Sequence, residues 1–233
     1  MGDLRGRLIV FDLDGTLVDS RRDLADSANA LIRELGGAPQ DEEAIGRMVG
    51  EGAAVLVARA LRASGLERQA AAGVVEHHVA RFLHIYDRRL LNHTRAYDGI
   101  PEAIAAARRH ARVAVLSNKP TRATEAVLEG LGLRSFFDDL VGGDGKWPRK
   151  PDPASLHHVM RRAGAPPSHT LLVGDSLIDH ETATGAGVRC CLATYGFGYA
   201  TFPVERVRAT DRLVSSPSEL PPLFKEFFDT LRS

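Results

Sequence analysis

Asp12-Leu13-Asp14 closes the apolar run from Leu8 to Phe11. Alternate residues of an extended chain share a side, so both carboxylates face the same way at short range. Three further polar groups stand beyond short apolar runs: Ser117-Asn118 after Val113-Ala114-Val115-Leu116, Lys150 after Leu140-Val141, and Gly174-Asp175 after Leu171-Leu172-Val173. Two neighbouring carboxylates repel unless a proton or cation lies between them, and Asp175 adds a third, so a hard, oxygen-ligated cation is the natural resolution. Mg²⁺ suits such a site because it binds through one or two carboxylates, keeps several waters and accepts a substrate phosphate. One carboxylate can then attack as a nucleophile while a second shuttles a proton. Taken singly, each group has an ordinary role: Asp-x-Asp in a turn, Ser-Asn after a strand, Lys before Pro as a solvated cation. Their ordered recurrence at four strand ends argues for one site, because open α/β sheets bind ligands outside the carboxyl ends of their strands.

The elements that must hold these groups are legible in outline. The four apolar runs read as buried strands of a parallel sheet, Val188 to Ala193 as a fifth, and 120–132, 153–164, 177–186 and 220–231 as helices between and after them. Between the first two strands lies a long segment of helical texture. Leu24, Ala28, Leu31, Ile32 and Leu35 form one face of a helix that Gly36-Gly37 ends, with Ser20 and Asp23 as its expected capping box. Residues 52–61 and 67–86 repeat the helical period. A loop of that size is implausible in a compact sheet, so the expectation is an α/β fold, a Rossmann-like open parallel sheet (residues 1–17 and 91–233) with an inserted all-helical cap domain (18–90).

The chain has 233 residues, enough for one large or two modest domains, with 44% hydrophobic and 26% charged residues. Lys+Arg and Asp+Glu are both 30, so there is no excess basic field to hold nucleic acid or an anionic membrane. Arg outnumbers Lys 26 to 4. The Met1–Gly6 segment lacks a long apolar signal region or a myristoylation pattern, and no apolar stretch approaches the ~18 residues that cross a bilayer. Cys190 and Cys191 are adjacent, which disfavours a bridge between them, so the expected location is the cytoplasm, as a monomer or homodimer. His77, His78, His84, His157 and His158 lack zinc-like spacing and read as surface or packing residues.

Phe11-Asp12-Leu13-Asp14-Gly15-Thr16-Leu17-Val18-Asp19-Ser20, Leu116-Ser117-Asn118-Lys119, Lys150-Pro151-Asp152-Pro153 and Gly174-Asp175-Ser176-Leu177-Ile178-Asp179 resemble the four motifs of the haloacid dehalogenase-like hydrolases, in order and over essentially the whole chain. The insertion resembles the first cap class of that superfamily. Residues 49–57 and Ala193-Thr194-Tyr195-Gly196 are similar to bacterial phosphoglycolate phosphatases. The resemblance implies a Mg²⁺-dependent phosphatase of a small phosphorylated metabolite, 2-phosphoglycolate first, with Asp12 as nucleophile and Asp14 as acid and base. It implies Mg²⁺ on the Asp12 carboxylate, the Asp14 carbonyl and Asp175, with Ser117, Asn118 and Lys150 on the phosphate and Thr16 and Asp179 behind them. Of the lysines near the motifs, Lys150 fits the Lys-Pro-x-Pro context, and Lys119 is expected to be peripheral. Arg47, on the loop around Gly50-x-Gly52, is a candidate for a substrate carboxylate or a solvated surface cation; Trp147 beside Lys150 is undecided. Asp14 disfavours dehalogenase chemistry, and a phosphonatase would need a cap lysine, whereas no Lys occurs in residues 1–118. A β-phosphoglucomutase-like mutase, other sugar-phosphate, nucleotide or pyrophosphate phosphatases, and a non-catalytic binding module remain alternatives.

Overall fold

The computed structural model describes Leu4 and residues 6–231; the reading of the first residues as lacking a signal falls mostly outside them. In chain order the strands are β1 (Leu8–Phe11), β2 (Val18–Asp19), β3 (Arg95–Ala96), β4 (Arg112–Leu116), β5 (Asp139–Val141), β6 (Thr170–Gly174), β7 (Arg189–Ala193) and β8 (Arg212–Val214). The helices are α1 (Arg21–Glu34), α2 (Glu42–Gly46), α3 (Ala53–Ala63), α4 (Val75–Asp87), α5 (Ile100–Ala107), α6 (Thr121–Gly130), α7 (Ala154–Ala163), α8 (Leu177–Gly185) and α9 (Leu220–Asp229). Six strands form one parallel sheet in the order β5-β4-β1-β6-β7-β8.

β1 lies between β4 and β6, and all four of its residues are buried. A parallel strand covered on both faces must be apolar at every position, which is why Leu8 to Phe11 reads as an uninterrupted run. Side-chain alternation sorts the sheet into two apolar layers. Ile9, Phe11, Val113, Val115 and Val173 pack with α5 and α9, while Leu8, Val10, Ala114, Leu116 and Leu172 pack with α7 and α8. Cys190 and Cys191 fall on opposite faces of β7, one in each layer, as free thiols. Among the described residues, no helix is long and apolar enough to cross a membrane.

The helices α1 to α4 build a third apolar cluster of their own, around Ile32, Ile45, Leu61, Phe82 and Tyr86. The chain enters this insertion through β2 and leaves it through β3, and the two pair antiparallel, Val18 with Ala96 and Asp19 with Arg95. Beside that ladder, the buried Asp23 carboxylate accepts hydrogen bonds from the His93 N–H (3.0 Å), the Thr94 N–H (2.8 Å) and the Thr94 hydroxyl (2.8 Å). Asp23 therefore ties the first turn of the insertion to its exit, 71 residues further on.

That bond corrects the expected capping box. Ser20 makes no cap bond; its hydroxyl donates to Asp14 at 2.6 Å, and Asp23 looks to β3 instead of to its own helix. The helix expected over 67–86 begins only at Val75, because Gly73 at φ +82° breaks the run. The periodicity also passed over α2, α5 and β8, all short.

Removing the Asp23 carboxylate leaves the two buried Thr94 donors and the part-buried His93 N–H unpaired, so Asp23→Ala is expected to lower unfolding free energy by about 3 kcal/mol. Urea denaturation measures it; a loss below about 0.5 kcal/mol would show that the neck does not depend on this bond.

Candidate active site

The ends of β1, β4 and β6 each deliver a side chain. The Asp12 N–H continues the β1–β6 ladder to the Val173 carbonyl at 2.9 Å, and the Ser117 N–H continues β4 to Val141 at 3.0 Å, so both side chains stand at the carboxyl edge of the sheet. Asp175 follows β6 directly. Asp179 lies in the first turn of α8, where Ser176 and Asp179 form the reciprocal capping box that the sequence reading placed at Ser20. Lys150 precedes a cis Pro151 and reaches back between two carboxylates, 2.8 Å from Asp12 and 2.6 Å from Asp179.

Asp12, Asp175 and Asp179 are buried with carboxylate oxygens within 4.8 Å of one another. One lysine cannot balance three carboxylates. Burial, opposed by Lys150 and reinforced by Asp179 and Asp14, pushes the Asp12 pKa from 3.8 up to about 7. Burial, with Asp12 and Asp179 beside it, pushes Asp175 well above the carboxylate range, against the Gly198 N–H that donates to it at 2.7 Å. Lys150 goes the other way: burial pulls its pKa down, but Asp12 and Asp179 outweigh burial and hold it above the usual range. An all-oxygen cluster short of positive charge is the donor set a hard divalent cation fits.

Asp175 is held from several sides. The Thr16 hydroxyl donates to it at 3.5 Å, and the Thr16 carbonyl is fixed by the Tyr195 hydroxyl at 2.9 Å. Gly15 and Gly196 press on the same carboxylate so closely that a Cβ at either would overlap it, and Gly15 has φ +90° as well. The sequence reading missed this cradle, although the Gly196-x-Gly198 spacing hints at it.

Lys119 is not peripheral. Its side chain is 4% exposed and its Nζ lies 2.8 and 2.9 Å from the two Asp14 oxygens, with the Tyr86 ring centroid at 4.7 Å. Burial lowers its pKa, but Asp14 and Tyr86 raise it further, so the ammonium is retained. Asn118, expected on the phosphate, is occupied otherwise: its amide donates to the Lys150 and Gly50 carbonyls at 2.8 Å each and accepts from the Lys150 N–H at 2.9 Å. It fixes the Lys150 backbone and ties it to the insertion.

A cavity of about 50 Å³ opens over these groups. Asp12, Asp14, Ser117, Lys119, Lys150 and Asp175 form its floor, and residues of the insertion form an apolar roof that includes Leu56, Phe82 and Tyr86. Arg47 is outside it, half exposed just beyond the end of α2 and 3.7 Å from Glu43. Trp147 stacks near His158 on the flank of α7, with Lys146 and Arg161 over its ring.

Fold and site together set a buried cluster of carboxylates at the carboxyl edge of a parallel sheet, beneath a helical roof. The chain belongs to the haloacid dehalogenase-like hydrolases, whose family model matches residues 7–187. It is 43% identical over 194 residues, 82% of this chain and 80% of the relative, to a protein of Rhodospirillum rubrum named phosphoglycolate phosphatase. Among solved structures it resembles a predicted phosphoglycolate phosphatase from Haemophilus somnus, with a TM-score of 0.85, 29% identity and 95% and 99% of the two chains covered. It also resembles CbbY from Rhodobacter sphaeroides in complex with phosphate, with a TM-score of 0.74, 26% identity and coverage of 92% and 96%.

The raised Asp12 pKa has a stability signature. In chelator the folded state keeps a proton on Asp12 up to about pH 7, whereas an unfolded chain releases it near 3.8. Stability from this group is full below the lower value and is lost as pH rises through the upper one. The melting temperature in chelator is expected to fall between pH 5 and pH 8, and to fall less in Asp12→Asn; an equal fall in both proteins would remove Asp12 as the cause.

Proposed function

We propose that this chain is a divalent-cation-dependent phosphatase that hydrolyses a small phosphate monoester, 2-phosphoglycolate, through an aspartyl-phosphate on Asp12. The single observation that carries the reading is the buried cluster of Asp12, Asp175 and Asp179 against one lysine, which is short of the charge that a cation and a phosphoryl group in turn exploit. The choice of substrate is supported by the names of the relatives.

In this reading an Asp12 oxygen bonds to phosphorus as the ester P–O bond breaks, and Asp14 gives a proton to the departing alkoxide. A water then gives its proton to Asp14 and attacks phosphorus, the Asp12–phosphorus bond breaks, and inorganic phosphate leaves. Ser117 donates to a phosphoryl oxygen, and Lys150 holds Asp12 in line while carrying positive charge beside it. The Asp12 carboxylate, the Asp14 carbonyl and Asp175 would hold Mg²⁺, with Thr16 and Asp179 orienting Asp175 and Lys150. The bound cation supplies charge neutralisation on the transferring group.

The division expected from sequence, a core of 1–17 and 91–233 and a cap of 18–90, belongs to the same proposal, with the β2–β3 ladder as the crossing point. So does a cytoplasmic enzyme, monomer or homodimer, without nucleic-acid or membrane partners, supported by zero net charge and two free buried thiols.

A panel of 2-phosphoglycolate, glucose 1-phosphate, a nucleotide, pyrophosphate and p-nitrophenyl phosphate, assayed for released phosphate with Mg²⁺ and with chelator, tests the reading. The expected result is Mg²⁺-dependent turnover, highest on 2-phosphoglycolate and absent in Asp12→Asn. Turnover highest on a sugar phosphate would overturn the substrate, and Mg²⁺-independent or no turnover the mechanism. Lys150→Ala is expected to lose about a hundredfold or more in kcat/KM, since it removes charge beside the transferring phosphoryl group; a loss under about fivefold in the same assay would reassign that role.

A further inference from the structure

The roof of the cavity carries a buried hydroxyl that faces the charged floor. Tyr86, on α4, is 2% exposed, its ring stacks on Phe82 at 5.8 Å, and it lines the cavity. Its hydroxyl is buried and makes no hydrogen bond of good geometry among the described residues, with the Lys119 ammonium as the charged group beside the ring. A buried hydroxyl left unpaired is costly, so a site that keeps one is suited to a ligand atom that completes it. Around it the roof is apolar, with Leu24, Val49, Ala53, Leu56 and Leu83, so its polar neighbours in the cavity are Lys119 and Asp14 on the floor.

The nearest cation is Lys119. Two of its three N–H bonds are accounted for by the Asp14 oxygens, which leaves one donor in the cavity close to the Tyr86 ring. Lys150, the other lysine lining the cavity, is already shared between Asp12 and Asp179, and Arg47 lies outside. Gly52 and Ala53, the N-terminal end of α3, border the same space, and that end of a helix favours negative charge. One ammonium donor, the Tyr86 hydroxyl beside it and a helix N-terminus converge on a space beside, and not on, the carboxylate cluster.

We propose that Lys119 and Tyr86 form the subsite for the substrate's carboxylate, the sheet supplying the charge and the insertion the hydroxyl, so that an acidic phosphate ester bridges the two. The inference rests on the phosphatase reading above and adds the residues that would select a phosphorylated hydroxy acid over a neutral alkyl phosphate. Lys119 also fixes Asp14, so the test has to separate recognition of the carboxylate from a general effect on turnover.

2-Phosphoglycolate and ethyl phosphate have alkyl leaving groups that differ by the carboxylate. The readout is the ratio of their kcat/KM values in the wild type, Tyr86→Phe, Lys119→Met and Lys119→Arg, with melting temperatures recorded for each. The ratio is expected to fall about tenfold in Tyr86→Phe and about a hundredfold in Lys119→Met, mainly through KM for 2-phosphoglycolate, with partial recovery in Lys119→Arg. A ratio unchanged in both Tyr86→Phe and Lys119→Met, whatever the absolute rates, overturns the subsite and leaves Lys119 as a group that fixes Asp14. If Lys119→Met does not fold, Tyr86→Phe, which keeps the ring, decides alone. A wild type with no preference between the two esters overturns the substrate reading and the subsite together, whereas a preference that the variants keep overturns the subsite only.

Discussion

Lys150 Nζ lies between two buried carboxylates, 2.8 Å from Asp12 and 2.6 Å from Asp179, and the rest of the site is arranged around that contact. Its three components come from different places in the chain: the end of β1, the turn before α7 and the first turn of α8. A buried cation stripped of either partner, or a buried carboxylate stripped of the cation, is strongly unfavourable, so these elements must close on one another correctly or not at all. The capping box at Ser176 fixes the Asp179 side of the bridge, and the three bonds of Asn118 to Lys150 and Gly50 fix the backbone on the other. Even so, the bridge leaves the cluster short of positive charge, which shows in the upward shifts of Asp12 and Asp175. The protein holds a charge deficit in place by geometry, and a deficit of that kind is a binding determinant for cations.

The strand ends were legible because a parallel strand covered on both faces has one sequence pattern, and the polar residue that stops it is the one the sheet presents at its edge. Asp12, Ser117 and Asp175 follow from that rule alone, and Lys150 from the motif around it. Lys119 and Tyr86 do not. Lys119 becomes buried only because Asp14 and the end of α4 arrive from elsewhere, and Tyr86 looks like any other apolar position on a helix whose far face is the core of the insertion. Ser20 was misread for a related reason. A serine three residues before an aspartate satisfies a local rule, yet both side chains found partners outside the helix, Asp14 in the preceding loop in one case and Thr94 far along the chain in the other. Local pattern loses where a tertiary partner offers a stronger bond.

Sheet and insertion divide the cavity by chemistry. All the charged groups at its floor come from the sheet's carboxyl edge, whereas the insertion contributes almost only carbon. An apolar lid over a charged floor excludes water and strengthens the electrostatics beneath it. Asn118 crosses this divide, because the amide that positions Lys150 also bonds the Gly50 carbonyl in the loop before α3. The position of the lid is thereby felt by the backbone of the lysine.

The neck of the insertion has a consequence for how such a protein can change. Val18–Asp19 and Arg95–Ala96 are paired neighbours, so the chain departs from the sheet and returns to it within about one strand spacing, roughly 5 Å. Everything between those points can be lengthened, shortened or replaced without altering a single pairing in the six-stranded sheet. The strand pairings and the helices are therefore separately mutable: drift in the helices redraws the roof while the register of the sheet stays, and the Asn118–Gly50 bond is a point at which such drift still reaches the floor.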